Sequence, residues 1–478
     1  MNEIKWGSKN KPRYILLPVE MTVKVIVDSF EKMRLQQGPR IWTVPRYDIS
    51  KEPALEATLK ILPDAGSVDF PRVAKWCPDG SAVLAQCENG SLQLFDVRRF
   101  NQAAPVLDFI WYPMATPRDP ATFCFVASVR ECPVKLLDGS DGRLRASYRI
   151  VDHRERQVAP HSLAFNLTAQ KFVIYILFDL LIRTPIPRLY CGFEDAIEVF
   201  DISRPGEGTR IHTTPSKKSK DGLKVLGIIS ALAFSPSYSQ DESFYAAGSF
   251  SSSSYNIAMF SDSATEPLML IGGGPEAGVT QLQFNPAKPH ILYATYRGQK
   301  SGSVYSWDIR SNVASPLEIF QAPSRNTSTS NRTNQKIKFD VDLSGHFLSI
   351  GDQVEQGHVS LFDLSNPENL EETSTGSHNN VPEVSYETKV TYPINRFKAH
   401  DDAVGSVAFN PFRSSLLSVS GSRHFMNDYS DEESDSESDT ESGSGHNDMN
   451  SPHSKMRRMP RRTQPVTFDS TIKIWDFK

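Results

Sequence analysis

Alternating apolar and polar positions, cut every few residues by Gly, Pro, Asn or Asp, run through most of this chain and predict strands, with no sustained helical period. The strands come in sets. The first set reads Val73-Ala74-Lys75-Trp76, then Ala82-Val83-Leu84, then Leu92-Gln93-Leu94-Phe95, with a Pro78-Asp79-Gly80 turn between the first two. Pro presets φ in such a turn, and Gly accepts the positive φ that follows. Later sets open at Trp111-Tyr112-Pro113, Ser162-Leu163-Ala164-Phe165, Ala231-Leu232-Ala233-Phe234, Gln281-Leu282-Gln283-Phe284, Lys336-Ile337-Lys338-Phe339 and Val407-Ala408-Phe409. Third strands such as Ile197-Glu198-Val199-Phe200-Asp201 and Val304-Tyr305-Ser306-Trp307-Asp308 end in an aromatic and an acid. Seven sets result. A single set cannot bury both its faces, so neighbouring sets must pack on one another.

The last set adds a His before its first strand (Ala399-His400-Asp401) and closes on Ile474-Trp475-Asp476, the marks of a WD repeat. The fold class is therefore all-β, a seven-bladed WD-repeat β-propeller over residues 70–478. Seven such repeats need roughly 280 to 320 residues, which the 478-residue chain supplies. His400, Ser420, Asp469 and Trp475 form the expected hydrogen-bonded WD set, a structural role. Only two residues follow Asp476, so the last blade lacks an outer strand. Residues 1–69, an N-terminal extension, are expected to supply it and close the ring, with Arg40-Ile41-Trp42-Thr43-Val44 as the candidate.

Two stretches stand outside the blades. Residues 422–466 hang from the last blade as an insertion, rich in Ser, Asp and Glu and then in Lys and Arg. It buries too little apolar surface to fold and is expected to be disordered. Its acidic part resembles substrates of acid-directed kinases, and Lys455-Met456-Arg457-Arg458 with Arg461-Arg462 resembles a nuclear import signal. Residues 171–187 put a run rich in Ile, Leu and Phe where a blade needs a tight turn. Two readings stand for it, a retained intron translated in frame or a membrane- or partner-binding loop.

Composition narrows the class of function. Removing the nine acidic and five basic residues of 428–462 leaves a body of zero formal charge, so a polyanion must be gripped by a local patch. The five cysteines lack a C-x-x-C pair and read as reduced core thiols of an intracellular protein. Met1-Asn2-Glu3-Ile4-Lys5 does not open a signal peptide, and no apolar run is long enough to span a bilayer. No phosphate-binding loop, zinc-protease helix or nucleophile elbow occurs, so no catalytic residue, metal or cofactor is expected and the protein reads as a non-enzyme.

Basic side chains do cluster. Arg143, Arg145, Arg149 and Arg154 crowd what reads as the connection after the second blade, Lys217, Lys218 and Lys220 crowd another, and Arg332, Lys336 and Lys338 bracket the start of the sixth. Arg130, Arg297 and Arg423 fall in turns between second and third strands, which share a face with the connections between blades. One face can thus be basic while the molecule is neutral, and these thirteen residues are the candidate set for gripping the phosphates of a polyanion.

The phrases Gly142-Arg143-Leu144-Arg145-Ala146-Ser147-Tyr148-Arg149, Pro160-His161-Ser162-Leu163 and Gly227-Ile228-Ile229-Ser230-Ala231-Leu232-Ala233-Phe234-Ser235-Pro236 resemble the telomerase Cajal body protein family. So, most specifically, does Thr333-Asn334-Gln335-Lys336-Ile337-Lys338-Phe339-Asp340. The resemblance implies a non-catalytic nuclear scaffold that binds small box H/ACA RNAs or telomerase RNA through a short loop and directs them to Cajal bodies. It also implies ribonucleoprotein partners and a folding chaperonin. The alternative is a protein-docking propeller of a splicing or chromatin complex that never touches RNA.

Overall fold

The computed structural model describes residues 44–61, 69–95, 98–166, 187–213, 227–236, 243–298, 302–322, 335–352, 357–365, 388–425 and 465–478. Among them every regular element is a strand, and the strands make a seven-bladed β-propeller. The first blade orders Pro71–Trp76, Val83–Cys87, Leu92–Leu94 and Arg98–Phe100 from the axis outwards, antiparallel throughout. Inner strands of the others are Val106–Trp111, Ser162–Phe165, Ile229–Phe234, Val279–Phe284, Phe339–Val341 and Val404–Phe409. At the first turn Gly80 adopts φ 69° and its N–H bonds the Cys77 carbonyl at 2.7 Å, the conformation that Pro-Asp-Gly encodes.

The core is not one cluster but seven, each lying between two blades. Between the first and second, Leu84, Leu94 and Phe100 meet Phe109, Trp111 and Phe125. The last cluster joins Leu417, Val419 and Ile472 of the seventh blade to Ala74, Val83 and Ala85 of the first, so the ring closes on itself. Apolar residues on both sides of each inner strand follow from this, because each blade is buried on two faces.

Inner strands diverge around the axis and meet through the backbone only locally, as where Lys338 N bonds the Gly405 carbonyl at 2.9 Å, which leaves other edge N–H and C=O groups in need of partners. Side chains that cross between neighbouring blades supply many of them. Asp108 Oδ2 accepts from Leu163 N at 2.9 Å, Ser162 Oγ donates to the Ile229 carbonyl at 2.8 Å, and Ser230 Oγ donates to the Val279 carbonyl at 2.6 Å. Gln281 exchanges two bonds with the Phe339 backbone at 2.8 and 3.0 Å, and Asp340 Oδ2 accepts from Phe409 N at 2.8 Å. Ser406 Oγ accepts from Ala74 N at 3.2 Å, and Lys75 Nζ reaches the Phe109 carbonyl to complete the circle.

The seventh blade takes its outer strand from Ala54–Lys60, antiparallel to Thr471–Asp476. The pairing strand thus lies downstream of the Arg40-to-Val44 candidate, of which only Val44 is among the described residues. A second difference lies outside blade five, where Lys389–Thr391 pairs parallel to Glu318–Phe320 as a fifth strand. It is drawn from the segment between the third and fourth strands of blade six, a long-range pairing that local alternation does not encode. A third concerns the insertion. Its roots are ordered as a two-stranded ladder of His424–Phe425 with Pro465–Val466, and Ser422 is buried, so the expectation of disorder from residue 422 to 466 is corrected at both ends. The acidic and basic runs within it, residues 171–186, and Lys217, Lys218, Lys220 and Arg332 lie outside the described residues.

Candidate nucleic-acid interface

Each blade's turn between its second and third strands, and the link into its first strand, lie on one face, here called the link face. Arg72 stands at the start of one inner strand, Lys336 three residues before another, and His161 immediately before a third. Arg130, Arg297 and Arg423 follow second strands; the N–H of Arg130 bonds the Pro105 carbonyl at 3.0 Å and that of Arg297 the Gly278 carbonyl at 2.8 Å. Six basic side chains from six blades thus converge on the link-face end of the axis.

Their charges are felt mutually. Burial pulls the Lys336 ammonium below the ordinary lysine value; Asp108 opposes this, while Arg72 and Arg297 add repulsion. Burial likewise lowers His161, and Lys336 and Arg130 lower it further. Arg72 and Arg423 share the carboxylate of Glu88, whose side chain is only 5% exposed. Arg130, Arg297 and Lys336 make no ion pair among the described residues. The Lys336 ammonium lies 4.7 Å from the centre of the Phe250 ring, and its neighbour Gln335 donates to the Gly421 carbonyl at 2.8 Å. Residues 335 and 336 thus reach both blade seven and blade four. An open cavity of about 480 Å³ sits beside it, lined by Ile228, Phe250, Ser252, Glu276, Ala277, Gly278 and Arg297.

The sequence-derived set divides. Arg130, Arg297, Arg423 and Lys336 come together on this face. Lys338 does not: its ammonium turns inward to the Thr280 carbonyl at 2.7 Å, and burial with Lys336 repulsion pushes it down to about 7. Arg143 and Arg145 lie towards the opposite face, because Leu144–Tyr148 is the outer strand of blade two and Arg143 sits in the turn before it. Arg145 is clamped on Asp138 at 2.6 Å and on the carbonyls of Pro120 and Ala121, and Arg143 pairs with Asp141. Arg149 and Arg154 are exposed in the link that leaves the outer strand, away from the axis. Arg72, His161, Glu88 and Phe250 are not among the thirteen candidates; the legible signal is their position at or just before the start of an inner strand, or just after a second one.

The WD set also needs a correction. His400 Nδ1 bonds the Asp469 carboxylate at 2.9 Å, its Nε2 meets Ser418 Oγ at 2.8 Å, and Trp475 Nε1 donates to the same oxygen at 2.8 Å. The serine is Ser418. Ser420 lies two residues on along the same strand face, and its hydroxyl reaches only the Ala403 carbonyl at 3.3 Å. Asp469 needs a proton from Nδ1, so Nε2 accepts from Ser418, whose oxygen accepts from Trp475.

A Ser, a His and an Asp do meet at the root of the insertion. Ser422 Oγ and Asp402 Oδ1 both bond the same ring nitrogen, Nε2 of His424, at 2.7 and 2.9 Å, and bond each other at 2.7 Å. A hydrolase relay needs the two partners on different nitrogens, so this trio is a tether for the hairpin. Among the described residues no group of His, Cys, Asp and Glu could hold a metal.

No family model matches the chain. Curated proteins do. It is 28% identical over 441 residues, 87% of its own length and 71% of the relative's, to telomerase Cajal body protein 1 of Rattus norvegicus. The telomerase Cajal body protein 1 homolog of Drosophila melanogaster is 23% identical over 424 residues, 88% of this chain and 65% of that one. Guanine nucleotide-binding protein negative regulator 1 of Schizosaccharomyces pombe is 25% identical over 333 residues, 61% of this chain and 74% of its own.

Proposed function

We propose, on the premise that the chain is a divergent homologue of the telomerase Cajal body proteins, that it is a non-catalytic nuclear scaffold whose link face binds a single-stranded loop of a box H/ACA or telomerase RNA. One observation carries the reading. Arg130, Arg297 and Lys336 are brought together with no ion pair among the described residues, where most other described arginines have one, and Lys336 and His161 are disfavoured as cations first by burial and then by the neighbouring positive charges. Phosphates relieve that repulsion. Phe250 and the cavity beside it add an apolar wall of the kind that unstacked bases meet in single-stranded RNA recognition. The scaffold would direct its RNA to the Cajal body, in company with ribonucleoprotein proteins and a folding chaperonin.

Two measurements test this. Crosslinking the protein to RNA in its own cells should enrich box H/ACA or telomerase RNA over messenger RNA. In vitro, three phosphate contacts to a single strand give a slope of about −2 in log affinity against log salt, or about 20-fold weakening for a fourfold rise in salt. Replacing Arg130 and Arg297 by Ala should cut the slope to about −0.7. An RNA-free crosslink, with no salt-dependent binding, moves the reading to a protein-docking scaffold. That second reading has its own support in Leu317, Val390, Tyr392 and Ile394, apolar side chains exposed along the outer edge of blades five and six.

A further inference from the structure

The cavity between blades four and five holds two opposite charges that the fold leaves uncommitted. Glu276 and Arg297 both line it, both are exposed, and neither makes an ion pair among the described residues. Arg72, Arg99, Arg145, Arg210, Arg396 and Arg423, by contrast, each lie on a carboxylate. The other residues lining it are Ile228, Phe250, Ser252, Ala277 and Gly278. Gly278 keeps Phe250 close: a Cβ there would stand 2.4 Å from Phe250 Cδ1 and 2.9 Å from its carbonyl oxygen. The lining therefore combines apolar side chains with one anionic and one cationic group.

Resting on the RNA reading, we propose that this cavity is a guanine-selective subsite, in which the Glu276 carboxylate accepts from the guanine base edge and Arg297 takes the adjoining phosphate. The chemistry follows from the donors. Guanine presents N1–H and N2–H side by side, a pair that matches the two oxygens of a carboxylate. Adenine offers N6–H beside the N1 lone pair, and cytosine N4–H beside the N3 lone pair; each aims an acceptor at the carboxylate. Uracil flanks one N–H with two carbonyls. Inosine keeps N1–H and lacks the N2 amine. A basic peptide side chain could also seek Glu276, but Arg297 lines the same cavity and Lys336 lies 4.7 Å from the centre of the Phe250 ring that also lines it, and these charges oppose a cation while favouring a phosphodiester.

The test compares short oligouridylates carrying one central guanosine, adenosine or inosine, bound to the full chain and to its Glu276→Gln variant. Fluorescence anisotropy reads the affinities, and melting and gel filtration check that the variant is folded. The wild-type protein should prefer guanosine over adenosine by roughly ten- to a hundredfold, with inosine between them. Glu276→Gln should bring the guanosine-to-adenosine ratio close to one, while Arg297→Ala should weaken all three oligomers together and lower the salt slope. If the protein binds RNA with the expected salt dependence but Glu276→Gln keeps the guanosine preference, or no preference exists, the subsite is overturned and the RNA reading stands. If none of the oligomers nor the box H/ACA RNA binds, both fall.

Discussion

Replacing Ser418 by Ala removes one hydroxyl that serves two buried partners, Trp475 Nε1 and His400 Nε2, each 2.8 Å away. Ser418 is fully buried, so no water can stand in for it without moving the blade. An unsatisfied buried polar group costs about 1 to 3 kcal/mol, so two should cost about 2 to 5 kcal/mol. Ser420→Ala removes a single bond of 3.3 Å from an equally buried residue and should cost about 0.5 to 1 kcal/mol. A seven-bladed ring need not unfold in one step, so a local measure is preferable. Native-state hydrogen exchange of the amides in Thr471–Asp476 reports the opening of this blade. Protection there should fall about thirtyfold or more in Ser418→Ala and about two- to fivefold in Ser420→Ala. Equal losses, or a larger loss for Ser420→Ala, would refute the network and return the WD role to Ser420.

The same network sets a pH window: burial holds His400 below its ordinary value and Asp469 is held well below the carboxylate range by His400 and Thr471, so the unfolded chain takes up these protons first as pH falls. Stability contributed by His400 should be complete above about pH 6.5 and decline below it, with the Asp469 contribution following below about pH 4; a His400→Gln variant should lack the first decline in urea titrations. Removing residues 44–61 deletes the strand that covers Thr471–Asp476, so the truncated chain should lose exchange protection in that strand and associate through the open edge on gel filtration. Monomeric behaviour with unchanged protection would show that the ring does not need this closure. Arg145→Ala should free Asp138, now lowered to about 2 with Arg145 and Ser140 hydrogen-bonded to it, and destabilise blade two while leaving RNA affinity within about twofold of wild type. A large loss of RNA affinity would put the binding face on the wrong side of the propeller.

Alternation and turn chemistry by themselves determined the blade count, the inner strands and the all-β class, because each blade is buried on both faces and repeats the same apolar pattern seven times. The Pro78-Asp79-Gly80 turn was equally legible, since only local backbone energies decide it. Placement on a face was harder. Outer strands such as Leu144–Tyr148 carry the burial pattern of an exposed edge, with only Tyr148 fully buried, so the sequence could not tell a turn before such a strand from a link after it. Arg143 and Arg145 were put on the wrong face for that reason. Ser418 and Ser420 share a strand face, and their periodicity is the same; the approach of Trp475 and His400 from other strands chose between them. Lys336 and Lys338 are likewise two apart on one segment, and tertiary packing sent one to the Phe250 ring and the other into the ring of inner strands. A chain fixes which of its residues are apolar, charged or turn-forming through local chemistry, whereas the convergence of Arg130, Arg297 and Lys336 from three blades exists only once the ring has closed.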